Sequence, residues 1–217
     1  MVVFSYQRKE MLAQTIADLK THEPALRILV VDNGSTDGTQ DMLAAMLGDG
    51  RVDKLLLNRH EQVPQWQKGF ALAQALGLLS LEPMDYLAWI DDDMRVNRPF
   101  VRSCANVLEK LQARKVRLVS LLVDDMQSRS HPPLETLVLD EIEVQIKESF
   151  NGAFVFAPVA FFAEFGLPPM GQGVNDVCIE DSYYSRLLQA SGGLVAAIDA
   201  STHLGYRQSH RRPINVR

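Results

Sequence analysis

Asp91, Asp92 and Asp93 stand in a row directly after the apolar run 86–90. Three carboxylates at one strand end repel one another unless a cation or hydrogen-bond donors compensate. Mg²⁺ and Mn²⁺ suit oxygen ligands, and Mg²⁺ commonly takes one or two carboxylates together with substrate phosphates. On an extended chain Asp91 and Asp93 would point one way and Asp92 the other. The alternative is a solvated acidic turn.

Two further groups have chemical potential. Asp32-Asn33-Gly34-Ser35-Thr36-Asp37 follows the apolar run 27–32. Asn33 offers both a donor and an acceptor, which suits a nucleobase edge. Gly34 permits a tight turn, and residues 35–37 open a helix. A capped strand-to-helix turn is the plain reading of the same residues. Glu180-Asp181-Ser182-Tyr183-Tyr184 forms the third group. Asp181 near a helix N-terminus could act as a cap or dipole partner. It could equally take the proton from an attacking hydroxyl.

These groups need elements to hold them. Residues 2–6, 27–32, 54–57, 86–90 and 117–123 read as short buried strands. Residues 10–20, 37–47, 66–79 and 100–111 carry apolar side chains at helical spacing. Asp37 and Gln40 resemble a capping box for the second helix. Asn97 and Pro99 mark the start of the fourth helix. Strands alternating with helices imply a mainly parallel sheet with helices on both faces. Acids at strand ends then fall where open α/β sheets bind ligands.

The second half is less regular. Residues 137–147 alternate like a half-exposed strand, and 150–156 read as another strand. Residues 180–190 read as a helix and 193–198 as a strand. The expectation is an α/β fold in one domain over 1–217, with a parallel nucleotide-binding half over about 1–123 and a mixed half over about 124–217.

Composition narrows the partners. The 217 residues carry a formal net charge of -5, so no overall basic field draws the chain to nucleic acid. The two cysteines, Cys104 and Cys178, form no CxxC pair, which favours a reducing compartment such as the cytoplasm. No signal peptide is expected, and no apolar run is long enough to span a bilayer. Any membrane contact is then peripheral.

Taken in order, these segments resemble the inverting glycosyltransferases of family 2, with their A-type (GT-A) fold. Ser5-Tyr6-Gln7-Arg8 is similar to that family's Thr-Tyr-Asn-Arg opening. Residues 32–37 resemble its Asp-Asp-Gly-Ser-Thr-Asp segment, which reads the base. Gln67-Lys68-Gly69 stands at its Asn-x-Gly, and the acidic triplet resembles its Asp-x-Asp signature. Asn151-Gly152-Ala153 is similar to the acceptor-side segment, and Glu180-Asp181 to the pair whose Asp is the general base.

The resemblance implies donor contacts from Ser5, Tyr6, Arg8, Asp32, Asn33, Lys68, Asp91 and Asp92. It implies a Mn²⁺ or Mg²⁺ held by Asp93, Asp91 and His203, with His210 as the rival ligand. It implies Asp181 as the base, with Glu180 binding the acceptor or orienting Asp181. The donor would be a UDP- or dTDP-sugar. The acceptor would be a hydroxyl of a glycan or lipid-linked saccharide, as in surface polysaccharide synthesis at the inner face of a membrane. The chain departs from the family at Gln7, Asn33, Trp66 and Gln67.

Two other readings compete. A sugar-phosphate nucleotidyltransferase shares the topology but usually carries a Gly-rich basic loop where Ser5-Tyr6-Gln7-Arg8 stands. A silent nucleotide-sugar-binding module would not need candidates for base reading, metal and proton removal together. Trp66 and Trp89 read as packing residues. Asp124 and Asp125 read as facing the acceptor or as a solvated turn, and one of Tyr183 and Tyr184 as packing inward. Arg211, Arg212 and Arg217 read as a solvated terminus.

Overall fold

The computed structural model describes residues 1–59, 68–79, 85–96, 98–122, 132–150, 152–167, 180–199 and 207–208. In chain order the elements are β1 (Val2–Ser5), α1 (Lys9–His22), β2 (Leu29–Asp32), α2 (Thr39–Gly48), β3 (Lys54–Leu57), α3 (Lys68–Leu78) and β4 (Tyr86–Asp91). Then come β5 (Met94–Arg95), α4 (Val101–Leu111), β6 (Val116–Leu122), β7 (Glu135–Leu139), β8 (Ile142–Lys147) and β9 (Phe154–Pro158). The last are α5 (Val159–Phe165), α6 (Glu180–Ser191), β10 (Leu194–Asp199) and β11 (Arg207–Gln208).

Among the described residues the main sheet has nine strands in the order β3-β2-β1-β4-β9-β6-β10-β8-β7. β1, β2, β3 and β4 run parallel, as do β6 and β10. β1 and β2 are buried at every position, as strands covered on both faces must be. Successive side chains serve opposite faces. Val3, Val30 and Ile90 pack with Leu12 and Ile16 of α1, Leu43 of α2 and Val107 of α4. Val2, Phe4, Val31 and Trp89 pack with Leu72 of α3, Phe161 of α5 and Tyr184 of α6. The expected α/β architecture is therefore present.

Four local readings change. The capping box at Asp37 and Gln40 does not form. Asp37 Oδ1 instead accepts from Thr39 N–H at 3.1 Å, and Gln40 Nε2 reaches Asp32 Oδ1 at 2.8 Å. Residues 137–147 are not one strand. Asp140 and Glu141 both take positive φ, 49° and 66°, and the chain folds back so that Leu139 faces Ile142. Two adjacent positive-φ residues are the signature of a tight hairpin turn. The strand expected at 150–156 begins at Phe154 and runs antiparallel between β4 and β6. Lastly, α4 starts at Val101. Its first free amides are capped from α1's end: Glu23 Oε1 accepts from Phe100 N–H at 2.6 Å and Val101 N–H at 2.8 Å. Asn97 lies outside the described residues.

No helix among the described residues is long and apolar enough to cross a membrane. The short β5 pairs with β11, so the segment at 207–208 returns to the chain just past the acidic triplet.

Candidate active site

The parallel strands β1, β2 and β4 end together, at Ser5, Asp32 and Asp91. Their loops form one edge of the sheet. Ser5 is buried, and its Oγ has no hydrogen-bond partner among the described residues. The next residues bend sharply. Gln7 takes φ 55°, a left-handed conformation that Asn tolerates better than Gln. Bonds across to the β2 loop offset that strain. Gln7 N–H donates to Ser35 Oγ at 2.8 Å, Gln7 Nε2 to Thr36 Oγ1 at 2.9 Å, and Thr36 N–H to Gln7 Oε1 at 3.3 Å.

Asp32 is wholly buried and organises its own loop. Its carboxylate accepts from Gly34 N–H at 3.1 Å, Ser35 N–H at 2.8 Å, Ser35 Oγ–H at 2.5 Å and Gln40 Nε2 at 2.8 Å. Those bonds give Asp32 a loop-building role. Asn33, beside it, is tied to residues outside the motif, namely Asn58 and through it Gln74.

The acidic triplet does not follow strand alternation, because β4 ends at Asp91 and Asp92-Asp93 form a turn. Arg8 Nη1 lies 3.0 Å from Asp92 Oδ1 and 2.8 Å from Asp93 Oδ2. Tyr6 N–H donates to Asp92 Oδ2 at 3.1 Å. Thr15 of α1 holds the turn from beneath, its hydroxyl 2.9 Å from Asp92 O and 2.7 Å from Met94 O. Burial pushes the Asp92 carboxyl up to about 7; Arg8 and the Tyr6 amide oppose this, while Asp91 and Asp93 add to it. Two carboxylates, Asp92 and Asp93, meet one guanidinium, and carboxylate oxygens suit a hard divalent cation. Among the described residues, three metal-binding side chains do not converge.

The third group joins the same edge. Asp91 N–H donates to Ala153 O at 3.0 Å, and Gly152 N–H donates to Asp181 Oδ2 at 3.2 Å. Trp89 completes the junction by donating Nε1–H to Gly152 O at 2.9 Å while its ring packs near Tyr184 and Phe162. Asp181 Oδ1 also accepts from Ser182 N–H at 2.6 Å. The carboxylate borders a cavity of about 460 Å³. Glu148, Phe150, Ser185, Arg186 and Gln189 also line it. Tyr184 is fully buried, as one of the two tyrosines was expected to be.

The sheet edge thus brings together Ser5, Tyr6, Arg8, Asp32, Asn33, Asp91, Asp92 and Asp93, and residues 152–153 link it to Asp181. The side chains of Lys68, at the start of α3, and Glu180, at the start of α6, lie outside the described residues. So do Asn151, His203, His210, Trp66, Gln67, Asp124, Asp125, Cys178 and residues 209–217. Sequence reading missed Thr15, Asn58, Gln74 and the indole of Trp89 as site neighbours. Asn58 carried a signal, since it directly follows β3 on the edge where ligands bind.

The family profile described as Glycosyl transferase family 2 matches residues 1–165. The chain belongs to glycosyl transferase family 2. No curated protein sequence matches significantly. Among solved structures, this family 2 chain is similar to the mannosyltransferase PcManGT from Pyrobaculum calidifontis, in complex with GDP-Man and Mn²⁺. The identity is 18% and the TM-score 0.58, over 90% of this chain and 55% of that one. It is also similar to S. aureus TarS 1-349 in complex with UDP, at 14% identity and TM-score 0.62, over 96% and 59% of the two chains. A third is glucosyl-3-phosphoglycerate synthase from Mycobacterium tuberculosis, in complex with Mn²⁺, UDP and glucosyl-3-phosphoglycerate. There the identity is 16% and the TM-score 0.58, over 97% and 71%. These likenesses establish the shared GT-A fold. The chain spans 55% to 59% of the length of the first two.

Proposed function

We propose that this protein transfers a sugar from a nucleoside diphosphate donor to a hydroxyl of a glycan or lipid-linked acceptor, with inversion at the anomeric carbon. One observation carries the reading. Residues 152–153 bond to Asp91 on one side and to Asp181 on the other, which couples a phosphate-and-metal edge to a candidate base.

Asp93 and Asp91 would hold a Mn²⁺ or Mg²⁺, with His203 or His210 as a further ligand. Bound there, the cation would supply charge neutralisation for the departing diphosphate. The carboxylate oxygens fit such a cation, and the Mn²⁺ complexes of similar folds support the choice. Arg8 bonds Asp92 and Asp93 together and orients them. Ser5, Tyr6, Asn33 and Lys68 would cradle the nucleoside, with Asp92 at the ribose, while Asp32, its carboxylate taken up by its own loop, shapes the cradle from within.

Asp181 takes the proton of the acceptor hydroxyl as that oxygen attacks from the face opposite the diphosphate. Gly152 N–H and Ser182 N–H hold its two oxygens in place. The cavity beside it offers Arg186, Glu148 and Gln189 to acceptor hydroxyls. Glu180 would assist acceptor binding.

The test is incubation with UDP-, dTDP- and GDP-sugars, Mn²⁺ and a panel of saccharide acceptors, read by mass and by anomeric NMR signals. An inverted glycoside from wild type and none from Asp181→Asn is expected. A product with retained configuration would overturn the displacement mechanism, and sugar-1-phosphate with nucleoside triphosphate, formed only when pyrophosphate is added, would favour a nucleotidyltransferase.

A further inference from the structure

We infer that Trp89 is a positioning residue for proton removal: its buried indole N–H fixes the turn that holds the Asp181 carboxylate. The inference rests on the base role proposed above for Asp181 and assigns a second residue to that step.

Trp89 lies inside β4 and is fully buried. The other strand residues in its cluster carry side chains with no polar atom. An indole has one polar atom, and that atom only donates. Trp89 Nε1–H donates to Gly152 O at 2.9 Å in a buried setting. An aliphatic residue could fill this face but could not make that bond.

Gly152 has no side chain to hold it, and a glycine backbone turns freely about φ and ψ. It lies ahead of β9, in the turn that leads into the strand. Two bonds from β4 pin that turn: the indole to Gly152 O, and Asp91 N–H to Ala153 O at 3.0 Å. With the carbonyl side of Gly152 fixed, its N–H meets Asp181 Oδ2 at 3.2 Å. Without the indole, the planar peptide group between Gly152 and Ala153 loses an anchor, and the Gly152 N–H can swing away from the carboxylate.

The helix that carries Asp181 is held separately. Tyr184, three residues on, shares a face of α6 with Asp181. Its ring lies 6.1 Å from that of Trp89. The hydroxyls of Tyr183 and Tyr184 donate to Phe165 O and Gly166 O, both at 3.1 Å, and tie α6 to the end of α5. Ser182 N–H, on the same helix, holds Asp181 Oδ1. Gly152 ties the other oxygen to the sheet. A reacting group displaced by about 1 Å can cost about 100-fold in rate.

The test is a double-substitution cycle on the 217-residue chain, read as steady-state transfer from UDP-, dTDP- and GDP-sugars to a saccharide panel with Mn²⁺. Trp89→Phe keeps an aromatic ring and removes the N–H. It should lower kcat about 10- to 100-fold and leave donor KM within about twofold. In the Asp181→Asn background the same change should cost less than about twofold, because a residue that acts through the base has nothing left to position. Phe162→Leu is the packing control, since that ring lies 6.1 Å from Trp89 and carries no donor for Gly152. It should lower the melting temperature but reduce kcat less than Trp89→Phe does. If Trp89→Phe does not fold by near-ultraviolet circular dichroism, the ¹H–¹⁵N signal of the Trp89 indole serves instead. Asp181→Asn should shift that signal through Gly152, and an unmoved signal would overturn the inference. Equal losses in both backgrounds, equal kcat losses in Trp89→Phe and Phe162→Leu, or wild-type kcat in Trp89→Phe would overturn it and leave Asp181 as the base. Wild-type turnover in Asp181→Asn, or no product from wild type with any pair, would overturn both.

Discussion

Arg8 Nη1 lies 2.8 Å from Asp93 Oδ2, and the same nitrogen lies 3.0 Å from Asp92 Oδ1. One cation therefore serves two carboxylates whose side chains are only 5% and 6% exposed. Removing it leaves two adjacent buried acids. Breaking a buried pair typically costs 3–5 kcal/mol. Arg8 is 41% exposed, so solvent reduces the expected loss for Arg8→Gln to about 1–3 kcal/mol. Mn²⁺ should restore more stability to this variant than to wild type, because it supplies the charge that Arg8 did. Urea midpoints with EDTA and with Mn²⁺ check this; equal Mn²⁺ effects on the two proteins would count against a metal at Asp93.

Asp181→Asn keeps the size and shape of the side chain but cannot take a proton. We expect UDP binding near wild type, a modest loss of melting temperature because one of the Gly152 and Ser182 amides then faces an NH₂, and transfer reduced about 100- to 10,000-fold. Steady-state kinetics decide, and wild-type turnover would remove Asp181 from the base role.

Asp93→Ala should abolish the Mn²⁺-dependent part of nucleotide binding. Calorimetry with and without EDTA measures it. A Mn²⁺-dependent gain equal to that of wild type would place the metal elsewhere.

Glu23 caps a helix far from it in sequence, accepting from the first amides of α4. Glu23→Ala leaves those amides without their acceptor and should cost about 1–2 kcal/mol in urea unfolding. It should leave nucleotide affinity unchanged, since Glu23 sits at the opposite end of α1 from Arg8.

Asp18 ties α1 to β5. Burial alone would raise its pKa, but bonds from Arg95, Gln14 and Val96 N–H outweigh it and hold the carboxyl below its ordinary 3.8. A depressed folded-state pKa means stability present above that ordinary value and lost as pH falls through the folded one. Asp18→Asn should therefore cost about 1 kcal/mol at pH 7, allowing for the half-exposed Arg95. The deficit should shrink below about pH 4. Chemical denaturation at pH 7 and pH 3 tests this, and a deficit that does not change with pH would mean packing, not charge.

Much of this was legible in the sequence because it is local. The apolar runs ending on Ser5, Asp32 and Asp91 are buried strands whose ends meet, and helical spacing at Leu12, Ile16 and Leu43 marks faces that do pack on them. A strand or helix declares its buried side through a period of two or 3.6 residues. The acids after those runs follow from position alone.

What only the tertiary structure decided are the partners far apart in the chain. Asp92 and Asp93 share Arg8, Glu23 caps α4, Asn58 joins Asn33 to Gln74, and Gly152 joins Trp89 to Asp181. The antiparallel β9 between β4 and β6 belongs with them. Polar partners follow from sheet order and register, and a side chain that bonds across 25 or 84 residues leaves no period in its own neighbourhood, which is why residue pattern alone could nominate these groups but not pair them.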